Sequence, residues 1–135
     1  MNSKTIIIHT DGAARGNPGP AAIGVTLHDG TGKLLAKISE RIGVATNNVA
    51  EYRAVIAGLE KAVRLGAKDV QLVSDSELVV RQINGRYKVK NAGIIPLYNE
   101  VMKLTGKLTK FTATNVRRGQ NAAADGLANE ALDGR

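Results

Sequence analysis

The sequence of 135 residues contains no cysteine and no tryptophan, and aromatic residues make up only 3% of it. The absence of cysteine excludes disulfides and thiolate metal sites, and it suits the reducing interior of a cell. The apolar run near the N-terminus, residues 6–8, is three residues long, whereas a signal peptide or a membrane span needs a much longer run. We therefore expect a cytoplasmic protein that does not enter a membrane.

Acidic residues are scarce in one part of the chain. Between residues 81 and 118 the sequence has nine basic residues and a single acid, Glu100, in a chain whose formal net charge is +7. A basic sector of this kind is typical of proteins that bind a polyanion such as nucleic acid, although a solvated basic face would have the same composition. The basic residues of the sector are Arg81, Arg86, Lys88, Lys90, Lys103, Lys107, Lys110, Arg117 and Arg118.

The rest of the composition is that of one ordinary domain. Hydrophobic residues make up 43% and charged residues 23% of the sequence. A chain of this length can bury one core without disulfide or metal cross-links. The sequence therefore predicts a single domain over residues 1–135, packed with Ile, Val, Leu and Ala because aromatic residues are few.

The periodicity of apolar residues changes from strand-like to helix-like at about residue 48. Three β-branched or alternating segments come first, and the turn sequence HDGTGK predicts that the second and third are antiparallel neighbours. The later strands are connected through helices, which predicts an α/β fold with one mixed sheet flanked by helices. The predicted strands are residues 4–10, 21–29, 33–42, 69–74 and 110–116, and the predicted helices are residues 48–65, 76–84, 95–107 and 121–132.

Three acidic residues lie at the ends of predicted elements. Asp11 follows the first strand, Glu51 lies in the first turn of the long helix, and Asp75 follows the strand VQLVS. Each has a purely structural interpretation. Asp-Gly is a common turn pair, Glu51 stands three residues after Asn48 as in a capping box, and Asp75 is a candidate N-cap.

A fourth acid, Asp125, lies inside the last predicted helix. It shares a face with Ala128 and Leu132 at the border of the apolar stripe. A carboxylate in this position needs a partner, because an unpaired buried charge costs much free energy. No cation lies on the same stripe.

The four carboxylates also have a joint interpretation. Two strand ends, a helix start and the inner border of a helix can converge at one edge of a mixed sheet, where the carboxylates would repel each other unless they bound hard cations. Mg²⁺ prefers oxygen ligands and is typically held by a few carboxylates together with substrate phosphates. The pattern therefore predicts a magnesium site that acts on a phosphate compound.

Four segments carry a resemblance to a known family. TDGAARGNPGPAAIG, TNNVAEYRAVIAGL, VSDSELVVRQING and NAAADGLANEAL resemble, in this order, the signature blocks of ribonuclease H type 1. The resemblance implies a ribonuclease H-like fold, with a five-stranded mixed sheet whose first three strands are antiparallel. It also implies an endonuclease that hydrolyses the RNA strand of RNA–DNA hybrids with two Mg²⁺ ions, or Mn²⁺, and leaves 5′-phosphate and 3′-hydroxyl ends. Asp11, Glu51, Asp75 and Asp125 would be the catalytic metal ligands, and Asp11 would bridge both ions.

The resemblance further implies positions for substrate contacts. Polar groups on the loop that contains Gly12, Gly16 and Gly19, here called the glycine loop, and polar groups before the long helix would contact 2′-hydroxyls in the minor groove. A histidine that many members carry before the last helix is replaced here by the segment VRRGQN, in which Arg118 and Asn121 match a pattern VxRxxN. The basic protrusion with tryptophan of longer members is absent, and its nearest counterpart is NGRYKVKN. The candidate substrate-binding residues are Gly12, Ala14, Arg15, Asn17, Asn47, Asn48, Ser76, Arg86, Tyr87, Lys88 and Lys90.

Three alternative functions stay open at this point. The protein could be a broader nuclease that also cuts double-stranded RNA, or a non-catalytic module that binds hybrids on the same fold. A small-phosphate enzyme using the glycine loop is a third, although the spacing of Gly12, Gly16 and Gly19 matches neither GxGxxG nor GxxxxGK[ST]. In each case we expect a monomer that has no membrane partner.

Overall fold

A computed structural model of the chain describes residues 4–134, so residues 1–3 and 135 of the predicted single domain lie outside the described part. The elements alternate much as the periodicity predicts. The strands are β1 (Thr5–Ala14), β2 (Gly19–Asp29), β3 (Leu34–Ala45), β4 (Asp69–Ser74) and β5 (Lys110–Asn115); the helices are α1 (Asn47–Arg64), α2 (Glu77–Ile83), α3 (Ile95–Thr105) and α4 (Ala122–Leu132), and a 3-10 turn spans Arg118–Asn121.

The five strands form one mixed sheet in the order β3-β2-β1-β4-β5. β1 pairs antiparallel with β2, and β2 pairs antiparallel with β3. β4 is parallel to both β1 and β5. The predicted α/β class, the mixed sheet and its three antiparallel first strands are therefore confirmed.

Helices cover both faces of the sheet. Val25 of β2 lies against α1, whereas its neighbour Gly24 lies against α4. Because successive residues of a strand point to opposite faces, α1 and α4 lie on opposite sides of the sheet. α3 packs against α1 in a further layer.

The main core lies between the sheet and α1. It consists largely of Ile, Val, Leu and Ala, as the scarcity of aromatic residues predicts. Tyr52 is the one aromatic side chain that is fully buried among the described residues. Its hydroxyl donates a hydrogen bond to Gln82 Oε1 at 2.7 Å, so the buried polar atom has a partner.

Two local predictions need correction. β1 does not end before Asp11 but continues to Ala14, because β2 pairs with it as far as Ala14 and Ala21. The cap of α1 is Thr46, whose hydroxyl accepts a hydrogen bond from Val49 N at 3.2 Å. Glu51 therefore has no capping role.

A similar correction applies to α2. Its N-cap is Ser76, whose hydroxyl accepts from Val79 N at 3.3 Å, and the carboxylate of Asp75 is not used as a cap. None of the helices in the described part of the chain is both long and apolar enough to cross a bilayer.

Candidate metal centre

Asp11 and Asp75 lie together because the parallel pairing of β1 with β4 ends just before them. The pairing of β1 with β4 ends at Thr10 and Ser74. Asp11 and Asp75 are the residues that directly follow this last pair. β1 nevertheless stays in the sheet, since Asp11 pairs with Gly24 of β2. Asp11 is thus held on a strand, and only 6% of it is exposed.

Glu51 reaches the same place from the second turn of α1. The backbone of α1 lies so close to Gly12 that a Cβ there would stand 2.2 Å from the carbonyl carbon of Ala50. The approach allows Gly12 N to donate a hydrogen bond to Glu51 Oε1 at 2.5 Å. Glycine at this position is therefore what permits the contact between the strand and Glu51.

Asp125 approaches from the other face of the sheet on α4. A Cβ on Gly24 would lie 2.0 Å from the carbonyl oxygen of Ala124, so the absence of a side chain lets α4 lie directly on β2. Asp125 then shares a hydrogen bond with the carboxyl group of Asp11. The partner that we expected for Asp125 from the sequence is therefore another acid, Asp11.

The acids form a compact cluster. Asp11, Glu51 and Asp75 each offer a carboxylate oxygen, and these oxygens lie within 4.8 Å of one another. Asp125 is not one of these three but lines the same cavity, whose volume is about 460 Å³. The other residues that line the cavity are Gly12, Ala13, Ala14, Asn47, Ser76, Arg118 and Asn129.

The electrostatics of the cluster favour protons or cations. Burial, followed by the charge of Glu51 and the hydrogen bond with Asp125, raises the pKa of Asp11 to about 9. Burial raises the pKa of Glu51 to about 7, against the hydrogen bond from Gly12 N, which lowers it. Burial also raises the pKa of Asp75, while the nearby Arg118 guanidinium lowers it. At neutral pH, a bound proton or cation therefore stabilises this cluster of acids.

The donor set fits a hard divalent cation. All candidate ligands are carboxylate oxygens, which Mg²⁺ and Mn²⁺ prefer. Asp75 Oδ2 is buried and accepts no hydrogen bond from any described residue; the nearest cation is Arg118 Nε at 4.0 Å. A buried oxygen without a donor is a natural ligand atom, because an unsatisfied buried acceptor is costly.

The amide residues predicted to contact substrate divide between two adjoining cavities. Asn47 lines the cavity of the acids and also a second cavity of about 530 Å³, which Asn17 and Asn48 line as well. Asn17 Oδ1 accepts a hydrogen bond from Asn47 N at 3.0 Å. The glycine loop is thereby fastened to the start of α1, and the amide nitrogen of Asn17 stays available as a donor.

Two other predicted residues have structural partners instead. Arg15 Nη2 pairs with Asp133 Oδ1 at 2.5 Å, which ties the glycine loop to the end of α4. Asn121 is 1% exposed, and its Nδ2 donates to the carbonyl oxygen of Thr10 at 2.8 Å. Neither residue lines the cavity of the acids.

The basic segment after α2 forms a separate surface. Arg86, Tyr87 and Lys88 line a cavity of about 530 Å³, while Lys90 is exposed beside it. The guanidinium of Arg81 lies over the ring of Tyr87, 5.3 Å from its centroid. One face of Tyr87 is therefore already covered by a cation.

The predicted basic sector is divided by the fold. Arg117 and Arg118 follow the end of β5, near Asp75. Lys103 and Lys107 line a groove between α1 and α3, and Lys110 begins β5. These three lysines therefore lie at the opposite end of the sheet from the acids.

Three polar residues that line the two site cavities were not predicted from the sequence. Asn129 lines the cavity of the acids one helical turn after Asp125, so the i+4 spacing on α4 was an available signal. Thr46 and Asn91 line the second cavity. Asn91 comes from the loop before α3, and its position could not be inferred without the fold.

Comparisons with known proteins agree with this arrangement. Residues 9–131 match the model of the reverse transcriptase-like family. The chain is 44% identical over 129 residues to the bifunctional protein Rv2228c of Mycobacterium tuberculosis, covering 95% of this chain and 35% of that protein. It is 44% identical over 123 residues to ribonuclease HI of Halobacterium salinarum, covering 91% of this chain and 62% of that protein. The chain thus spans less than two thirds of the length of either relative.

A solved structure is similar to this chain in both fold and sequence. The crystal structure of LC11-RNase H1 in complex with an RNA/DNA hybrid has a TM-score of 0.91 and 42% identity, covering 96% of this chain and 97% of that one. A likeness of this extent includes the sheet, the helices and the ends of strands on which the acids lie.

Proposed function

This chain belongs to the ribonuclease H family, type 1, and from that premise we propose that it is a metal-dependent endoribonuclease. Its substrate is the RNA strand of an RNA–DNA hybrid, and its products carry 5′-phosphate and 3′-hydroxyl ends. The observation that carries the proposal is the convergence of Asp11, Glu51 and Asp75 within 4.8 Å, with Asp125 on the same cavity. The similarity to LC11-RNase H1, whose crystal structure holds an RNA/DNA hybrid, supports the choice of substrate.

The four carboxylates would hold two divalent cations, Mg²⁺ or Mn²⁺. Asp11 belongs to the group of three and also contacts Asp125. It is therefore the residue that would bridge the two ions. When bound, such ions lower the pKa of a water molecule and stabilise charge on the leaving oxygen. The chain itself holds the ligands on two strands and two helices and needs no nucleophilic side chain.

The amides of the adjoining cavity would distinguish RNA from DNA. Asn47 lines both the cavity of the acids and the second cavity, whereas Asn17 and Asn48 line the second cavity. Their side chains offer donors and acceptors to 2′-hydroxyls. The backbone of Gly12 and Ala14 lies on the cavity of the acids, where a nucleic-acid strand can approach without a large side chain in its path.

The basic segment after α2 would contact the phosphates of the hybrid's DNA strand. Arg86, Lys88 and Lys90 are all exposed, and such cations position a duplex without reading its sequence. Tyr87 would add a stacking surface on the ring face that Arg81 leaves uncovered. Arg15 contributes through its backbone, because its guanidinium is paired with Asp133.

Arg118 would take an electrostatic role at the position of the missing histidine. Its side chain is 84% exposed, yet its Nε lies 4.0 Å from Asp75 Oδ2. An arginine stays protonated near neutral pH, so it would attract the scissile phosphate and could not accept a proton as a general base. Ser76 lines the same cavity as Asp75, and its hydroxyl caps α2. Asn121 would act as a positioning residue through Thr10.

A cleavage assay on matched substrates tests the proposal. Labelled hybrid, double-stranded RNA and single-stranded RNA of one sequence are incubated with the protein and Mg²⁺ or Mn²⁺. We expect hybrid cleavage that excess chelator abolishes, and a loss of about a thousandfold or more in Asp11→Asn, since a metal ligand is worth several kcal/mol. Glu40→Gln, an exposed acid on β3, is the matched control and should retain full activity.

The outcomes separate the alternative functions. Hybrid binding without turnover would favour the non-catalytic module, and equal cleavage of double-stranded RNA would favour the broader nuclease. Activity that survives Asp11→Asn or chelation would overturn the metal mechanism. The monomeric state, the cytoplasmic location and the single domain stay predictions from the sequence.

A further inference from the structure

The end of the sheet opposite to the acids carries a second concentration of cations. β1, β4 and β5 all begin there, and Lys68 joins the strand starts, because its N–H donates to Lys4 O at 2.9 Å and its carbonyl accepts from Lys110 N at 3.1 Å. Beside them, Arg64, Lys103 and Lys107 line the groove between α1 and α3. We call this set the amino-end surface; its members are Lys4, Arg64, Lys68, Lys103, Lys107 and Lys110.

The cations of the amino-end surface are not neutralised by ion pairs. All six are exposed. Within residues 4–134, the ion pairs involve only Arg15, Arg81 and Arg118, and none of the six lies within 4.0 Å of a carboxylate. Even Glu60 and Glu100, which line the same groove, do not pair with them.

The six cations outnumber the two acids of the groove, Glu60 and Glu100, so an excess of positive charge remains on this surface. Concentrated charge of one sign destabilises a folded chain through self-repulsion. Lys4 is the member with a structural role, since its Nζ donates to Leu65 O at the end of α1 at 2.5 Å. The five others have no side-chain hydrogen bond among the described residues, so their ammonium and guanidinium groups are free to bind a ligand.

The side chains around the surface indicate the type of anion. Single strands are usually bound by exposed aromatic rings on which bases stack. Here the nearest aromatic residue, Phe111, is half-buried and packs on the core. Lysines act as point charges that contact phosphates. The composition therefore favours the phosphate backbone of a duplex over single-stranded nucleic acid.

We propose that the amino-end surface binds a second nucleic-acid duplex while the hybrid lies at the acids, so that one molecule bridges two duplex segments. β4 separates the two surfaces by about 20 Å along the strand direction. This exceeds the screening length of about 8 Å at physiological salt, so the acids do not cancel the field of the amino-end surface. The two surfaces therefore present charges of opposite sign at opposite ends of the same strands.

A capture assay tests the proposal. An RNA–DNA hybrid is tethered to beads with chelator present so that nothing is cut, and a labelled DNA duplex is captured through the protein. In Lys68→Gln/Lys107→Gln we expect roughly tenfold weaker capture, because two phosphate contacts are lost. The matched control, Lys33→Gln/Lys37→Gln, removes two exposed lysines of the β3 side and should capture as the parent does.

Two further measurements, hybrid cleavage and binding to lipid vesicles, complete the test. Cleavage of a short hybrid should stay within about twofold in both double variants, since neither touches the acids. The proposal fails if both variants capture equally well, or if the amino-end surface binds phosphatidylserine vesicles in preference to duplex. It rests on the proposed function only for the hybrid at the acids. A protein that bridges duplexes but cuts no hybrid would overturn the proposed function and leave this surface in place.

Discussion

The two ends of the sheet differ in the type of charge and in how that charge is compensated. At the carboxyl ends of β1 and β4, buried acids lie together and arginines pair with acids nearby. At the amino ends, exposed lysines lie together without ion pairs among the described residues. The difference arises because parallel strands give the sheet a direction. Residues that follow strands collect at one end and residues that precede them collect at the other.

A substitution that disturbs the close packing of α4 on β2 should have the largest effect on stability at the acidic end. In Gly24→Ala the new Cβ would meet Ala124 O at 2.0 Å and Ala128 N at 2.6 Å. We expect destabilisation of about 3 kcal/mol or more by overpacking. Hybrid cleavage should fall about a hundredfold, since a 1 Å displacement of Asp125 suffices for that. Denaturant unfolding and initial rates measure the two effects.

The control for Gly24→Ala lies on α4, the helix that packs on Gly24. Gly126 is exposed and a Cβ there would meet nothing within 4 Å. Gly126→Ala should therefore stabilise the protein by up to about 1 kcal/mol through helix propensity. Equal effects of the two substitutions would show that α4 does not position Asp125 by close packing.

A buried hydrogen bond at the acidic end should have the next largest effect. Asn121→Ala removes the donor to Thr10 O and leaves a buried carbonyl unsatisfied. We expect a loss of about 1–3 kcal/mol in the free energy of unfolding. Asn115→Ala, which removes an exposed residue's bond to Ser74 O, is the control and should cost less. A smaller loss in Asn121→Ala than in the control would contradict the positioning role of Asn121.

The raised pKa values of the acids predict how stability depends on pH. The pKa of Asp11 is about 9 in the folded protein, against about 4 for an ordinary aspartate. The folded state therefore holds a proton that the unfolded state releases. The stability of the metal-free protein should be greatest near pH 4 and fall as the pH rises to about 9, with Glu51 contributing up to about pH 7.

Thermal unfolding in chelator between pH 5 and 9 measures this dependence. Mg²⁺ should raise the melting temperature more at pH 8 than at pH 5.5, because the ligands must lose their protons to bind it. Asp11→Asn should flatten the pH profile, whereas Glu40→Gln should leave it unchanged. A metal-free protein that gains stability steadily up to pH 9 would be incompatible with the raised pKa values.

The smallest effect is expected at the amino end. Lys4→Ala removes an exposed hydrogen bond to Leu65 O, which water can replace. We expect a loss below about 1 kcal/mol and no change in hybrid cleavage. Chemical denaturation compared with Asn121→Ala tests whether burial distinguishes the two ends, and an equal loss in both variants would remove that distinction.

Much of the fold followed from local patterns. Every predicted strand and helix is present, and the predicted ribonuclease H-like fold is confirmed by its similarity to a solved member. The exact ends were less predictable. β1 runs past Asp11 because of its pairing with β2, and no pattern within β1 encodes the length of its partner.

The sequence predicted that the four acids converge, but it did not predict their contacts. The spacing of the motifs singled out all four acids, yet the capping interpretation of Glu51 failed because α1 packs on Gly12 and uses Thr46 as its cap. Asn121 matched a loop motif but is buried beneath β1. Such outcomes depend on contacts between residues far apart in the chain.

Periodicity, turns and charge are local properties, so the strands, the helices and the set of acids could be predicted from the sequence alone. The tertiary structure established the contact of Asp125 with Asp11, since that contact requires α4 to lie directly on Gly24. It also decided that the basic sector would be split between two ends of the sheet. Lys110 begins β5 and Arg118 follows its end, and the parallel pairing of β5 with β4 places Arg118 at the end of the sheet that carries Asp75.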